Sequence, residues 1–329
     1  IPVAGAGLRL RPHTYTQPKP LIPVAGKAIL ATIIDRLVTE PQIDSIVLVI
    51  GYLGDKIQSF IQQTYPHLNI QFVYQENRLG IGHAVWTARH LFEYDEEVLV
   101  VLGDIIFDGN LRNIITSPVS CLGVKKVEDP REFGVVELNE DQSVRRLVEK
   151  PRIPKSNLAL VGLYKICQPQ QLVRAVQHLI ERDVRTRDEY QLTDALMYMH
   201  EQGVPFAVEH FDTWFDCGRK ENLLETNALL LRTKNYQAQQ YEPYLQTNII
   251  IPPVSIGKDC KIQHSVIGPN VSVGDNSTIT RAIIRHSIIG NFATLEETVL
   301  SRSIIGNDTS IKGKSQTLNI GDNTEIDFN

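Results

Sequence analysis

The segment Ala4-Gly5-Ala6-Gly7-Leu8-Arg9-Leu10-Arg11-Pro12 is followed, a few residues on, by Pro18-Lys19-Pro20-Leu21. Glycines at the end of a strand let backbone N–H groups come close to phosphate oxygens, and Arg9 and Lys19 would add positive charge there. A G-x-G pair alone describes a tight turn equally well; the full spacing of glycines, arginine and P-K-P is much rarer by chance. Asp104 follows the apolar run Glu97-Val98-Leu99-Val100-Val101-Leu102. A strand-end carboxylate lies where a parallel sheet binds its ligands, or it merely caps the next turn. Gln75 also follows an apolar run, in Gln75-Glu76-Asn77-Arg78-Leu79-Gly80-Ile81-Gly82-His83. Its amide offers a donor and an acceptor to a pyrimidine edge, and Gly80 can bring backbone to a base. His83 suits a helix start better than a catalytic role. Glu149-Lys150-Pro151, preceded by Phe133-Gly134-Val135-Val136, sets a carboxylate beside an amine; in isolation such a pair is an exposed ion pair worth little.

The elements that must position these residues alternate. Apolar runs at 45–50, 70–74 and 97–102 are separated by stretches of helical period at 28–38, 56–63 and 82–92. Strand–helix alternation with nearly continuous apolar strands predicts an α/β fold, a Rossmann-like mixed, mostly parallel sheet with helices on both faces. From Ser120 to Ile166 the pattern turns to strands without long helices, an extension of the sheet. Helices return at 170–182 and 221–232. Residues 1–232 are thus expected to form one domain, with the polar stretch 233–247 as a linker.

Over 248–329 the rhythm changes. Ser265-Val266-Ile267-Gly268, Ser287-Ile288-Ile289-Gly290 and Ser303-Ile304-Ile305-Gly306 are near copies. Val273, Ile289 and Ile305 step by about sixteen residues, as do Ile279, Leu295 and Ile311, a spacing no helix has. A triangular parallel β-helix of hexapeptide-like repeats accounts for it, each short side giving one inward aliphatic residue. Gly257, Asn270, Gly274, Asn276 and Asn307 are expected at corners, where positive φ is needed.

The net charge of −5 argues against a nucleic-acid partner. The four cysteines are far apart and form no C-x-x-C pair, which fits a reducing, cytoplasmic setting better than a zinc site or disulfide framework. No apolar run is long enough to cross a bilayer, so no membrane partner is expected.

The glycine loop with P-K-P resembles the signature of the sugar nucleotidylyltransferases, G-G-x-G-T-R-L-x-P followed by P-K-P. Ala4 replaces the first glycine and Leu8 the usual threonine or serine. The resemblance continues through Glu149-Lys150-Pro151 and Trp214-Phe215-Asp216-Cys217-Gly218, similar to the family's W-x-D-x-G, and covers essentially the whole chain. It implies a left-handed β-helix, an activity that joins a nucleoside triphosphate to a sugar-1-phosphate, and Mg2+ as cofactor. It implies Asp104 and Asp216 as metal ligands and Arg9, Lys19 and Lys150 as the charges at the reacting phosphates. Ala4, Gly5, Gly7, Gln75 and Gly80 would hold the nucleotide. Phe133, Gly134, Glu149, Lys150 and Val161 would hold the sugar phosphate. dTTP or UTP and glucose-1-phosphate are the expected substrates, and a homo-oligomer is expected because β-helix flanks commonly pair. Alternatives are a mannose-1-phosphate guanylyltransferase, a bifunctional nucleotidyl- and acetyltransferase using His264 or His286, and a regulatory subunit without turnover, which only Leu8 encourages.

Overall fold

The computed structural model describes residues 1–233 and 238–313, and the chain divides into two compact units, Ile1–Thr226 and Asn227–Asn329. In the first, the hairpin β1 (Pro23–Val24) and β2 (Lys27–Ala28) leads into α1 (Ile29–Leu37), whose Ile29, Leu30, Ile33, Ile34 and Leu37 are buried. The strands β3 (Ile46–Ile50) and β4 (Ile70–Tyr74) pair in parallel around α2 (Gly54–Thr64). The chain start runs beside β3: Val3 N–H donates to Val49 O at 2.8 Å and Val49 N–H to Ile1 O at 3.0 Å. Next come α3 (Ile81–Thr87), β5 (Val98–Val101), β6 (Ile105–Asp108) and α4 (Leu111–Ile115). The helix expected over 82–92 stops at Thr87, and a 3-10 turn, Arg89–Leu91, takes up the rest.

The strand-rich region holds β7 (Ser120–Lys126), β8 (Gly134–Leu138), β9 (Val144–Glu149) and β10 (Leu158–Ile166). The sheet is mixed, but its parallel pairs are fewer than the strand–helix alternation suggests. β10 runs antiparallel to β5, β7 and β8, and β8 antiparallel to β9. Short turns between successive strands can only reverse the chain, whereas parallel neighbours need a long crossover. That crossover comes with α5 (Pro169–Glu181) and α6 (Leu192–Glu201), after which β11 (Phe206–His210) lies parallel to β7. α6 was not anticipated, although Leu192, Ala195, Leu196 and Met199 fall at helical spacing and are buried. Finally β12 (Thr213–Asp216) pairs antiparallel with β6, and α7 (Lys220–Thr233) follows. The expected linker 233–247 includes 234–237, which lie outside the described residues, and a 3-10 helix, Ala238–Tyr244.

In the second unit three parallel sheets stack in register, as in a left-handed β-helix. One contains Ile249–Ile250, Val266–Ile267, Ile283–Arg285 and Val299–Ser301. Ile267, Ile279, Ile284, Ile289 and Leu295 point into the shared apolar core. The corners correct part of the sequence expectation. Asn270 (φ 60°) and Asn276 (φ 57°) are left-handed, as are His264, Arg281, His286, Phe292 and Glu297, but Gly257, Gly274 and Asn307 are not. The two glycines serve close approach instead. A Cβ on Gly257 would lie 2.4 Å from Asp275 Oδ1, and one on Gly274 2.4 Å from Asn291 Oδ1. Asp275, Asn291 and Asn307 form a column whose Oδ1 atoms accept from the backbone N–H of Lys258, Asp275 and Asn291, at 2.7–2.9 Å.

Candidate active site

The candidate nucleotide, sugar-phosphate and metal residues of the first unit line two adjoining cavities that share Gly7, Lys19, Ile81, Leu102, Asp104 and Glu189, whereas His83 lines neither. The smaller, about 260 Å³, is bordered by Ala4, Gly5, Gly7, Gln75 and Gly80. The larger, about 420 Å³, is bordered by Arg9, Phe133, Gly134, Glu149, Lys150, Val161 and Asp216.

The loop after the segment that runs beside β3 is shaped by its glycines. Gly7 has φ 60°, Thr14 Oγ1 donates to its carbonyl at 2.9 Å, and a Cβ there would lie 2.9 Å from Thr14 Cγ2. Leu8, where the family signature has a hydroxyl, opens a 3-10 turn and is 61% exposed. Arg9 reaches Glu132 at 3.1 Å, and Arg219 meets the same carboxylate at 3.2 Å.

Asp104 and Asp216 are brought together by the β6–β12 ribbon, in which Asp216 lies opposite Ile105. Cys217 N–H donates to Asp104 O at 2.9 Å, and Asn222 at the start of α7 donates to Asp216 O at 2.8 Å. Both aspartates are therefore held through their backbone carbonyls, Asp104 by a backbone N–H and Asp216 by a side-chain amide. Lys19 Nζ donates to Asp104 Oδ2 at 2.5 Å. Burial is the largest single influence on Lys19 and acts to lower its pKa, but Asp104 and then Asp216 together outweigh it and leave the amine above its ordinary value. Asp216 is pushed above the usual carboxylate range, first by burial and then by Asp104, with Lys19 and Arg9 pulling it back.

Burial first, and then the neighbouring Asp104, oppose the ionised form of Asp216, and Lys19 and Arg9 offset that opposition only in part. A hard cation with oxygen ligands would relieve it. Among the described residues no cluster of three or more His, Cys, Asp or Glu side chains could hold an ion. The pair therefore fits a cation whose other ligands are phosphate and water.

On the far side of the larger cavity, Gly134 and Glu149 face each other across β8 and β9. A Cβ on Gly134 would lie 2.8 Å from Leu160 Cδ1 and 2.9 Å from Thr193 Oγ1, so backbone alone forms that wall. Thr193 Oγ1 donates to Glu149 Oε2 at 2.7 Å, and Lys150 Nζ sits 3.0 Å from Glu149 Oε1. Lys150 takes a left-handed φ of 42°, and its N–H donates to Phe133 O at 3.0 Å.

In the smaller cavity Gln75 is 4% exposed. Its Nε2 lies 3.2 Å from Gly80 O and 2.9 Å from His83 Nδ1. The donor half of the amide is thus engaged within the protein, where the sequence suggested it would face a base. Gly80 has φ 107°, and a Cβ there would meet Tyr190 O at 2.6 Å.

A family model for nucleotidyl transferases matches residues 1–233. The chain belongs to that family. The bifunctional protein GlmU of Methanocaldococcus jannaschii is 38% identical over 229 residues, 69% of this chain and 53% of that protein. The chain thus spans about half the length of the first curated relatives it matches. The glucose-1-phosphate thymidylyltransferase of Streptomyces antibioticus is 29% identical over 318 residues, 87% of this chain and 85% of that protein. The solved structure of a UDP-glucose pyrophosphorylase complexed with UDP-glucose shares the fold, with a TM-score of 0.61, 21% identity, and coverage of 71% of this chain and 97% of the other.

Within this nucleotidyl transferase, sequence reasoning missed Thr193, Gln191 and Glu189, which come to the cavities from the start of α6 and the segment before it. The unnoticed helical spacing of α6 was the signal that would have placed them. Trp214, whose ring meets Phe133 edge-on at 5.0 Å between centroids, was noticed only as part of the Asp216 motif.

Proposed function

We propose that the chain transfers a nucleotidyl group from dTTP or UTP to a sugar-1-phosphate, glucose-1-phosphate first among them, giving an NDP-sugar and pyrophosphate. One observation carries this: two cavities of different lining meet at Lys19 and Asp104, one bordered by an amide and glycines, the other by Glu149 and Lys150. The thymidylyltransferase among the relatives supports it.

The reaction needs no side-chain nucleophile. A phosphate oxygen of the sugar-1-phosphate, already ionised near neutral pH, attacks the α-phosphorus in line, and pyrophosphate leaves. Positioning and charge neutralisation supply the acceleration. The backbone of Ala4, Gly5 and Gly7 cradles the triphosphate. Lys19, held by Asp104, neutralises the α-phosphate, and the exposed Arg9 swings from Glu132 to the leaving phosphates. Lys150 holds the acceptor phosphate, and Glu149, oriented by Thr193, accepts from sugar hydroxyls beside Gly134, Phe133 and Val161. Asp104 and Asp216 would hold Mg2+, which when bound would neutralise charge on the triphosphate. Catalysis resides in residues 1–232, and the β-helix, whose described strands run from Ile249 to Lys312, holds copies together as a homo-oligomer.

Mass spectrometry of reactions with glucose-1-phosphate, mannose-1-phosphate and amino-sugar phosphates tests the reading. An NDP-sugar formed with Mg2+ and lost with a chelator supports it. Hydrolysis of the triphosphate without a sugar adduct would contradict it.

A further inference from the structure

Gln75 carries two N–H donors and one carbonyl acceptor. Its Nε2 is within hydrogen-bond distance of two acceptors inside the protein, Gly80 O at 3.2 Å and His83 Nδ1 at 2.9 Å. An amide nitrogen can only donate, so His83 Nδ1 must accept, which fixes the neutral ring with its proton on Nε2. His83 is itself placed by α3, one turn after Gly80, and its backbone O accepts from Thr87 Oγ1 at 2.8 Å. Burial lowers its pKa, in keeping with a neutral ring. With both donors engaged, the carbonyl Oε1 is the atom Gln75 has left for a ligand in the cavity it borders.

We infer that His83 is a positioning residue that locks the Gln75 amide with its acceptor toward the nucleotide cavity, so that the site takes bases with a ring N–H donor and rejects those with a ring acceptor. Uracil and thymine present N3–H, and guanine N1–H; cytosine N3 and adenine N1 are acceptors and would face Oε1 lone pair to lone pair. This rests on the proposed reading of the smaller cavity as the nucleotide subsite. A reader of opposite polarity would need the amide turned over, which His83 Nδ1 and Gly80 O both oppose. Buried polar groups left facing the wrong partner are what gives such a site its discrimination.

The test compares wild type, His83→Leu and His83→Asn. Leucine puts a methyl where Nδ1 stood, whereas asparagine can put Oδ1 there and keep the acceptor. Isothermal titration with UTP and CTP, each with Mg2+, reads binding apart from turnover, and steady-state kinetics read kcat and KM for both. Wild type should bind UTP at least about tenfold more tightly than CTP. His83→Leu should lose most of that preference through a higher KM for UTP, with kcat moving much less, and His83→Asn should restore it. Equal binding of UTP and CTP by wild type overturns the inference even if a variant fails to fold. So does an unchanged preference in His83→Leu, or equal damage from leucine and asparagine. A UTP preference in a protein without turnover would leave this inference standing and sink the catalytic reading instead.

Discussion

In the proposed reaction the charges at the seam between the cavities carry most of the chemistry, and they also cost the fold some stability. Asp216 has a folded pKa above its unfolded value of 3.8. The fold therefore disfavours its ionised form: the stabilising contribution is fully present below the unfolded value and is lost as pH rises through the folded one. Asp216→Asn should raise the melting temperature of the metal-free protein at pH 7 while removing turnover, and calorimetry beside a pyrophosphate assay would check both. A melting temperature lower than wild type would contradict the sign. Lys150→Met should raise KM for the sugar phosphate by at least about tenfold, since a charge-assisted contact contributes more than a neutral one; an unchanged KM would remove Lys150 from the acceptor subsite. The glycine loop, P-K-P and Asp104 stood out by residue type and spacing, because charge and glycine identity are themselves the signal, whereas Asp216 came only through the resemblance of its motif to the family's. The engagement of the Gln75 donors was not legible, since it depends on a rotamer fixed by Gly80 O and His83 Nδ1 in three dimensions.

The supporting elements tolerate little change where backbone meets backbone. Gly80 combines φ 107° with a Tyr190 carbonyl 2.6 Å from where a Cβ would stand. Gly80→Ala should cost about 2 kcal/mol or more in chemical denaturation, from backbone strain and displacement of the segment before α6. A cost within experimental error would show that the turn can relax. Elements with strong periodicity, such as α1, α5 and the short β-helix sides, could be read from the sequence because burial on one face dictates spacing. The antiparallel surroundings of β10 could not. Pairing direction is set by connection length and tertiary contact, and β10 is buried along its whole length, so its pattern carries no face preference. The corner glycines misled for a related reason: Gly257 and Gly274 are small to admit Asp275 and Asn291, not to turn the chain.

At the scale of the whole chain, the two units are stabilised differently. The β-helix core is a column of aliphatic residues in which each coil packs on the next, so its stability is close to a sum over neighbours. Ile284, fully buried in that column, should cost about 2–5 kcal/mol on replacement by alanine. The effect should fall on the thermal transition of the β-helix, with kcat for nucleotidyl transfer unchanged. A matching loss of kcat would tie the repeats to catalysis and favour a direct role for them. In the proposed reaction Asp104 and Lys19, at the junction of the two cavities, serve nucleotidyl transfer to a sugar-1-phosphate. Pyrophosphate release from dTTP or UTP with Mg2+ and glucose-1-phosphate, compared in wild type and Asp104→Asn, tests it most directly. Sugar-dependent release is expected in wild type, with a loss of about 10²-fold or more in the folded variant; equal rates in the two proteins would remove Asp104 from the reaction.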